Sequence, residues 1–415
     1  MDCQDKPGND ERWEVDSGSK CGMTTNDNRA IICYTINMIY LDYAAATPID
    51  AKVLAAMMPY LTDLFYNPSA NYMPAVRVRN DFEDARHRIA SIIGARPTEI
   101  IFTAGATESV NLALLGVDGK IVTTVIEHMS VLNVVKNRDG KILPVDEKGQ
   151  INLNELKSAI TDDVELVSIG YANSEIGTVQ EIEEIARIIA DIRVKRREHG
   201  NKTPLYLHTD ASAAAGLLDI NVARLGVDLM TLNAGKCYGP KQVGLLYVRA
   251  GIVLKPLIVG GGQELGLRSG TENVAGAVGF AKALELAEKH RKNEVIRLAK
   301  LRDDLQKFLV QEFPDIVING SQKHRLPNLL NFSLPGLDGE RAVFALDQNG
   351  VCVATGSACA ANKGSRSHVL TAIGLTPEIA DGSIRISLGR STTDDEIAAL
   401  KPILRDILRH ERELS

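Results

Sequence analysis

Short apolar runs alternate with amphipathic stretches through the middle of the chain. The runs that predict strands are Ile100–Thr103, Ile121–Ile126, Val164–Tyr171, Leu205–His208, Val227–Leu232 and Val243–Val248. Between them, hydrophobic residues recur with helical spacing, as in Ala75–Ile93 and Ile182–Arg197. Strands that alternate with helices are typical of a mostly parallel sheet with helices on both faces. We therefore predict a large α/β domain over residues 53 to 285.

The pattern changes beyond Glu285. The segments predicted there are an amphipathic helix through Phe313, short strands near Val317, at Leu329–Leu334 and at Val351–Ala354, and a closing helix from Asp394 to Arg412. They predict a smaller α+β domain, residues 286 to 415, to which residues 38 to 52 contribute. Residues 1 to 37 are polar and rich in Asp, Asn, Lys and Ser, so we expect a disordered N-terminal extension.

Composition narrows the class of protein. With 415 residues, 45% of them hydrophobic, the chain is long enough for two cores. A net charge of -6 argues against binding to DNA. The absence of a long apolar run or a signal-peptide pattern predicts a cytoplasmic protein that does not enter a membrane. Six irregularly spaced cysteines predict neither a disulfide framework nor a metal site, so individual thiols are judged on reactivity.

Lys236 lies between the strand-like runs Val227–Leu232 and Val243–Val248, where a Schiff-base lysine would be found. Asp210 follows another strand, at the sheet edge where α/β proteins place ligands. Pyridoxal phosphate (PLP) needs an amine, an acid for its ring nitrogen, a platform for the ring and donors for its phosphate. Lys236 would supply the amine and Asp210 the acid for the ring nitrogen. Alternatively, Lys236 could be a surface residue in a turn, and Asp210 could be a helix N-cap.

Two further segments match the remaining needs of PLP. The turn Gly105–Ser109, between a strand and a helix, would direct backbone N–H groups and a helix dipole at an anion. His128 follows the strand Ile121–Ile126 and could stack on a ring and transfer protons. Such turns are common, and a lone histidine at a strand end is more often structural.

Cys359 and Arg385 are candidates for the second reagent and for substrate binding. Cys359 lies in a loop of small residues, Gly356–Ser365, where an accessible thiol can ionise and attack. Cys352 and Cys237 are better explained by packing. Arg385 lies on a strand-like run, where its guanidinium would suit a substrate carboxylate or, alternatively, a structural salt bridge.

Nine short motifs occur in one order along the chain. They are Tyr40–Pro48, Asn67–Ala70, Gly105–Ser109, Glu127–His128, Asn173–Gly177, Gly260–Glu264, Arg268–Thr271, Gly356–Cys359 and Ser387–Arg390. From Met38 nearly to Ser415, the chain resembles the cysteine desulfurases, PLP enzymes of the aminotransferase class V group. This resemblance implies the PLP-dependent transferase fold type I, and the length from Cys359 to His368 resembles the long-loop group.

The resemblance also implies residue roles. Lys236 would be the Schiff-base lysine and proton shuttle, Asp210 the partner of the ring nitrogen, and His128 the stacked acid–base group. Asn173 would contact the ring hydroxyl or the substrate. The phosphate would be bound by Ala106, Thr107 and Asn233, and by Thr271 from a neighbouring subunit. Arg385 would hold the carboxylate of cysteine. Cys359 would take the substrate sulfur as a persulfide and release alanine.

Some positions depart from the family pattern. Relatives have Ser-x-His before the lysine, where this chain has Asn233, Ala234 and Gly235. The glutamine that follows the aspartate by three residues is replaced by Ala213, and the histidine expected near Tyr72 is missing. Each lost hydrogen bond is worth roughly 0.5 to 1.5 kcal/mol, so these changes would weaken PLP binding without ending it.

We therefore predict a homodimeric cysteine desulfurase that converts L-cysteine to L-alanine. It would pass sulfur to acceptor proteins such as an iron–sulfur scaffold, for iron–sulfur cluster assembly or tRNA thiolation. A selenocysteine lyase or another class V PLP lyase is a first alternative. A low-activity scaffold or partner protein that retains the fold is a second, for which Ala213 and Gly235 are the best support.

Overall fold

The computed structural model describes residues 38–356 and 366–414, which belong to one compact unit. Cys359 and the extension 1–37 lie outside the described residues. The strands are β1 (Ile39–Tyr40), β2 (Ile100–Thr103), β3 (Lys120–Thr124), β4 (Lys141–Leu143), β5 (Val164–Ser168), β6 (Tyr206–Asp210), β7 (Leu229–Asn233), β8 (Gly244–Val248), β9 (Val317–Ile318), β10 (Leu329–Ser333), β11 (Val351–Cys352) and β12 (Ser383–Ser387).

Helices connect most of these strands. They are α1 (Ala51–Met57), α2 (Met73–Ile93), α3 (Ala106–Leu115), α4 (Met129–Asn137), α5 (Leu153–Ala159), α6 (Ile182–Glu198), α7 (Val222–Leu225), α8 (Val274–Glu312), α9 (Gly339–Gln348), α10 (His368–Ala372), α11 (Pro377–Asp381) and α12 (Asp394–Glu413). The predicted strands and helices of the central region all occur, with ends that differ by a few residues.

The larger sheet has seven strands in the order β2-β8-β7-β6-β5-β3-β4. Strands β7, β6, β5, β3 and β4 pair in parallel, and β8 runs antiparallel to both of its neighbours. Parallel pairing brings the carboxyl ends of β3, β5, β6 and β7 to one edge. The loops after these strands therefore meet there and can build a ligand site.

Alternate residues of the strands pack on opposite faces of this sheet. Ile100 and Phe102 join the core that contains α2, α5, α6 and the first part of α8. Ile101, between them, joins the core that contains α3 and α4. The period of two therefore places helices on both faces, and it explains why the strands are apolar at nearly every position.

Helix α8 begins earlier than its amphipathic pattern predicts. It starts at Val274, where the side chain of Asn273 accepts a hydrogen bond from the backbone N–H of Gly276 at 2.9 Å. Its first eight residues, Val274–Ala281, are all buried. A helix that is apolar on every side has no helical periodicity to detect, so sequence patterning found only the later, amphipathic part.

Two smaller sheets contain the remaining strands, which come from the beginning and from the C-terminal part of the described chain. Strand β10 pairs antiparallel with β12 and β9, and β1 pairs in parallel with β11. A separate core of apolar side chains from β10, β12, α12 and the second half of α8 packs there. The predicted domain boundaries stay predictions, but residues 39–40 do pair with a strand from the C-terminal part of the chain.

Phe332 on β10 is fully buried in this second core. Phe332→Ala should lower the free energy of unfolding by about 3 to 5 kcal/mol, because it removes apolar contacts and leaves a cavity. Denaturant titration measures the change. Phe344→Ala is the matched control: its ring is 64% exposed, so we expect a change within about 0.5 kcal/mol. Equal losses for both variants would contradict this assignment of the core.

Candidate active site

A cavity of about 350 Å³ lies at the carboxyl edge of the larger sheet. Seven of the predicted site residues line it, namely Ala106, Thr107, His128, Asn173, Asp210, Asn233 and Lys236. Its volume falls in the range usual for small-molecule and cofactor sites. The structure thus brings together residues that are up to 130 positions apart in the sequence.

Lys236 ends a short 3₁₀ turn, Ala234–Lys236, directly after β7. Its Nζ donates hydrogen bonds to the carbonyl oxygens of Ala44 and Ala45, at 2.5 and 2.7 Å. The Oδ1 of Asn233 accepts from the backbone N–H of Gly235 at 3.1 Å, which stabilises the turn. The amine is therefore held at the cavity wall, and the amide nitrogen of Asn233 remains as a donor for an anion.

Asp210 is the last residue of β6, and its Oδ1 accepts from the backbone N–H of Ser212 at 2.9 Å. His208, two residues earlier, is fully buried between the hydroxyls of Ser168 and Thr231, at 2.8 and 3.0 Å. Burial lowers the pKa of His208 to about 4, in spite of the nearby charge of Asp210. His208 is therefore neutral, and a protonated pyridine nitrogen would suit the Asp210 carboxylate.

The turn before α3 has the shape of an anion cradle. Gly105 has φ of 132°, a conformation that favours glycine, and a Cβ atom there would have open space around it. Ala106 and Thr107 begin the ten-residue helix α3 and point its N-terminal dipole at the cavity. Nearby, Arg268 Nε donates to Glu108 Oε1 at 3.0 Å, which balances the one acidic charge of this turn.

His128 is the exposed N-cap residue of α4. Its Nδ1 accepts from the backbone N–H of Ser130 at 3.1 Å. A nitrogen that accepts carries no proton in the neutral ring, so the proton lies on Nε2. The helix cap thus fixes both the orientation and the tautomer of this imidazole.

Asn173 uses its side chain to build the loop after β5. Its Nδ2 donates to the carbonyl oxygen of Ile126 at 2.8 Å, and its Oδ1 accepts from the N–H groups of Glu175 and Ile176 at 2.9 and 3.0 Å. The residue lines the cavity while it connects two of the loops that form it. Its contact to a ring hydroxyl or substrate stays a prediction.

Arg385 and Thr271 lie outside the cavity wall. Arg385 is buried on β12, where Nη2 contacts Asp42 Oδ1 at 2.7 Å and Nη1 donates to the carbonyl oxygen of Ser174 at 3.3 Å. This is the salt bridge considered as the alternative role, although Ser174 itself lines the cavity. Thr271 is exposed, and its predicted contact was to a neighbouring subunit. Both roles stay predictions.

Glu127 and His368 also line the cavity, and sequence analysis gave them no role. The buried carboxylate of Glu127 accepts from Thr124 Oγ1 at 2.6 Å and from the backbone N–H of Gly170 at 3.0 Å. Burial raises the pKa of Glu127 to about 7, against these hydrogen bonds. His368 Nε2 lies 3.0 Å from the carbonyl oxygen of Glu127. Glu127 was visible only as part of a motif, because burial leaves no local signal in a sequence.

The departures from the family pattern leave the site able to hold PLP. Ala213 and Ser212 line the cavity, and among the described residues no hydrogen-bond partner reaches the buried Oγ of Ser212. A Cβ atom at Gly235 would make only ordinary contacts, the nearest at 3.5 Å, so the missing side chain is not required by packing. The lysine, the aspartate and the anion cradle are all in place. The residues present therefore fit PLP, with fewer hydrogen bonds.

Comparison with known proteins identifies the family. The model of the aminotransferase class-V family matches residues 39–400. The chain belongs to this family. It is 42% identical to the cysteine desulfurase IscS of Dictyoglomus turgidum, over 91% of this chain and 96% of that protein.

Solved structures agree. A NifS-like protein has a TM-score of 0.81 at 34% identity, covering 90% of this chain and 100% of its own. The structure titled SspA in complex with cysteine has a TM-score of 0.71 at 35% identity, covering 84% of this chain and 98% of its own. The predicted resemblance, fold class, PLP cofactor and cysteine desulfurase activity are confirmed at the level of this family.

Two absences were predicted for this chain. Within residues 38–356 and 366–414, no group of three or more metal-ligating side chains occurs. No helix in the same part of the chain is long and apolar enough to cross a membrane.

Glu127 should make the stability of the cofactor-free protein depend on pH. Between its ordinary pKa of 4.5 and about 7, the folded protein keeps a proton that the unfolded chain releases. The free energy of unfolding therefore falls as pH rises through this window, by on the order of 3 kcal/mol. Glu127→Gln should remove the contribution of Glu127 to that fall and so make the slope shallower, measured by denaturant titration from pH 5 to pH 8. Glu147→Gln, at an exposed position, should retain it, and unchanged slopes for Glu127→Gln would contradict the assignment.

Proposed function

We propose that this chain is a PLP-dependent cysteine desulfurase that uses Lys236 to hold the cofactor and Cys359 to accept sulfur. The main support is that Lys236, Asp210, His128 and the N-terminus of α3 line one cavity at the carboxyl edge of the larger sheet. The class-V family match and the names of the relatives support the same reaction. Bound PLP supplies an electron sink that makes the bonds to the substrate Cα and Cβ easier to break.

Each residue of the cavity has a defined task in this proposal. Lys236 would hold the cofactor covalently and would move a proton at the substrate Cα. The carbonyl oxygens of Ala44 and Ala45 hold its amine in place. Asp210 keeps the ring nitrogen protonated, because the buried His208 beside it is neutral and adds no competing charge. His128 would provide the platform for the ring, in the orientation that its helix-cap hydrogen bond sets.

Substrate binding would use Arg385. Its guanidinium already contacts the backbone of Ser174, which lines the cavity, and the Asp42 carboxylate. A carboxylate of L-cysteine would replace part of this pairing, because Arg binds carboxylates through two parallel hydrogen bonds. The salt bridge to Asp42 thus keeps a buried guanidinium paired before substrate arrives.

Sulfur transfer would proceed by attack of the Cys359 thiolate on the sulfur of bound cysteine. An S–S bond forms, the Cβ–S bond breaks, and the electron pair stays with the substrate carbon, which takes a proton and leaves as alanine. Gly356 lies close to Glu175, a residue of the cavity wall, since a Cβ atom at Gly356 would come within 2.9 Å of Glu175 Oε1. The three residues from Gly356 to Cys359 span about 10 Å at full extension, which sets the upper limit on how far the thiol can lie from Gly356.

A homodimer is part of the proposal. Large apolar side chains are exposed in two stretches of the chain, residues 54–73 and 253–265, where Phe65, Met73, Val253, Val259 and Leu265 are each at least 63% exposed. A dimer interface formed by these two stretches would cover such side chains. Thr271, exposed and near the second stretch, would then contact the phosphate of the partner subunit. Sulfur acceptors such as an iron–sulfur scaffold, and cytoplasmic location, rest on the family and on composition.

The alternatives differ in measurable ways. A selenocysteine lyase would use the same cavity, and its activity on selenocysteine would depend much less on Cys359. A scaffold protein would not bind PLP, and Ala213 and Gly235 are the residues in its favour. The complete set of lysine, aspartate and anion cradle around one cavity favours the enzyme over the scaffold.

Lys236→Ala should remove the visible absorbance band of bound PLP from the purified protein, because no other amine holds the cofactor covalently in this proposal. Absorbance spectroscopy after reconstitution with PLP measures this. Lys241→Ala, five residues later, serves as the control and should keep the band. A wild-type protein that stays colourless after reconstitution would favour the scaffold.

Cys359→Ala should keep bound PLP but release no sulfide from L-cysteine in the presence of a thiol reductant, because the sulfur acceptor is missing. In the wild-type protein, mass spectrometry after incubation with L-cysteine should find one added sulfur on the peptide that contains Cys359. Cys352→Ala should behave as wild type. Sulfide at the normal rate from Cys359→Ala would overturn the assigned nucleophile.

A further inference from the structure

Gly356, which precedes the segment 357–365, and Ser367, the second residue after it, lie near one carboxylate, that of Glu175. Ser367 Oγ donates a hydrogen bond to Glu175 Oε1. A Cβ atom at Gly356 would lie 2.9 Å from the same oxygen and 3.6 Å from Ser367 Cβ. Gly356 and Ser367 therefore lie close to each other, and the Glu175 carboxylate lies beside both.

Gly356 is a glycine for two reasons. Its φ is 95°, which favours glycine, and a side chain would collide with Glu175. Such close approach of backbone to a carboxylate needs a residue without a Cβ atom. The exit of the segment is thus shaped by Glu175 as much as by the glycine itself.

Glu175 is held rigidly. Its backbone N–H donates to Asn173 Oδ1 at 2.9 Å, and its carbonyl oxygen accepts from Asn331 Nδ2 at 3.0 Å. The side chain is 2% exposed. Asn173 lines the cavity and Asn331 lies on β10, so Glu175 is fixed between the cofactor site and the smaller sheet.

The second flank has additional contacts. Ser367 Oγ also accepts from the backbone N–H groups of Val369 and Leu370, both at 3.2 Å, and so caps α10. The next residue, His368, lies 3.0 Å from the carbonyl oxygen of Glu127, beside His128. The start of α10 is therefore connected to the loop that carries the stacked imidazole.

Burying a carboxylate costs desolvation free energy, so stability alone does not explain why Glu175 lies between Gly356 and Ser367. Burial raises the pKa of Glu175, whereas the Ser367 hydroxyl and the charge of Arg385 oppose that rise. No described residue gives Oε2 a hydrogen bond. An apolar side chain would avoid this cost, so the carboxylate is better explained by what it positions.

We propose that Glu175 is a positioning residue for sulfur transfer, holding Gly356 and Ser367 so that the segment carrying Cys359 starts and ends beside the cofactor cavity. The inference rests on the proposed role of Cys359 as sulfur acceptor. Only three residues, at most about 10 Å of extended chain, connect Gly356 to Cys359, so a shift of this attachment point changes the region that the thiol can reach. Misplacement of a reacting group by about 1 Å can slow a reaction roughly a hundredfold.

Glu175→Ala, Glu175→Gln and the control Glu181→Gln test this in the PLP-loaded enzyme. In Glu175→Ala, single-turnover persulfide formation on Cys359 should slow between about tenfold and a hundredfold. In steady-state assays of the same variant, kcat should fall while KM for L-cysteine changes less than about twofold, because substrate binding is retained. Glu175→Gln should recover most of the rate, because its amide oxygen still accepts from Ser367. Glu181, exposed at the N-terminus of α6, should be neutral.

Two readouts separate positioning from general damage. The visible PLP band and the Tm of Glu175→Ala should stay close to wild type, while trypsin should cleave after Lys363 faster, because the flanks are released. Ser367→Ala should slow persulfide formation as well, and the double variant with Glu175→Ala should be no slower than the slower single variant, since both remove one contact.

The outcomes distinguish this inference from the proposed function. Persulfide formation at the wild-type rate in Glu175→Ala, together with none in Cys359→Ala, would overturn the positioning role and leave the nucleophile in place. Loss of the PLP band or of folding in both Glu175 variants would also overturn it, by making Glu175 a structural residue of the pocket. Full sulfide release by Cys359→Ala would instead overturn the proposed function.

Discussion

The parallel pairing of β5, β6 and β7 is the constraint on which the site depends. In this register His208 lies opposite Leu229 and Asp210 opposite Thr231, so β6 and β7 end close to the same edge. Asp210 and the turn that carries Lys236 follow from those ends. A shift of one residue would turn Asp210 towards the opposite face of the sheet and separate the two groups that PLP requires.

Charge in and around the cavity is controlled by burial. His208 is buried between two hydroxyls and neutral, which leaves Asp210 as the acidic group at the end of β6. Glu127, also buried, has its pKa raised to about 7 and lies near Asp210, whose charge contributes to that rise. Beside Asp210 the cavity thus carries a second carboxyl group, Glu127, whose pKa is raised by burial, and a cationic cofactor ring would supply an opposing charge.

The second constraint is the connection between the larger and smaller sheets. Helix α8 contributes its first half to the core of the larger sheet and its second half to the core of the smaller one. Side-chain contacts add to this connection at the cavity: Arg385 of β12 contacts Ser174, and Asn331 of β10 contacts the backbone of Glu175. The residues that line the cavity and the described residues next to the segment with Cys359 are therefore positioned by one continuous set of contacts.

Sequence alone was sufficient for the strands, most helices and several of the residues that line the cavity, because these leave local signals: apolar runs, helical periodicity, a lysine between two strands and a glycine turn before a helix. The family motifs added the sulfur-transfer chemistry. Only the tertiary structure decided the pairing of Arg385 with Asp42, the burial of Glu127 and the meeting of Gly356 and Ser367 at Glu175. These depend on side chains far apart in the chain that meet in a low-dielectric interior, and neither distance nor desolvation has a signature in the local pattern of residues.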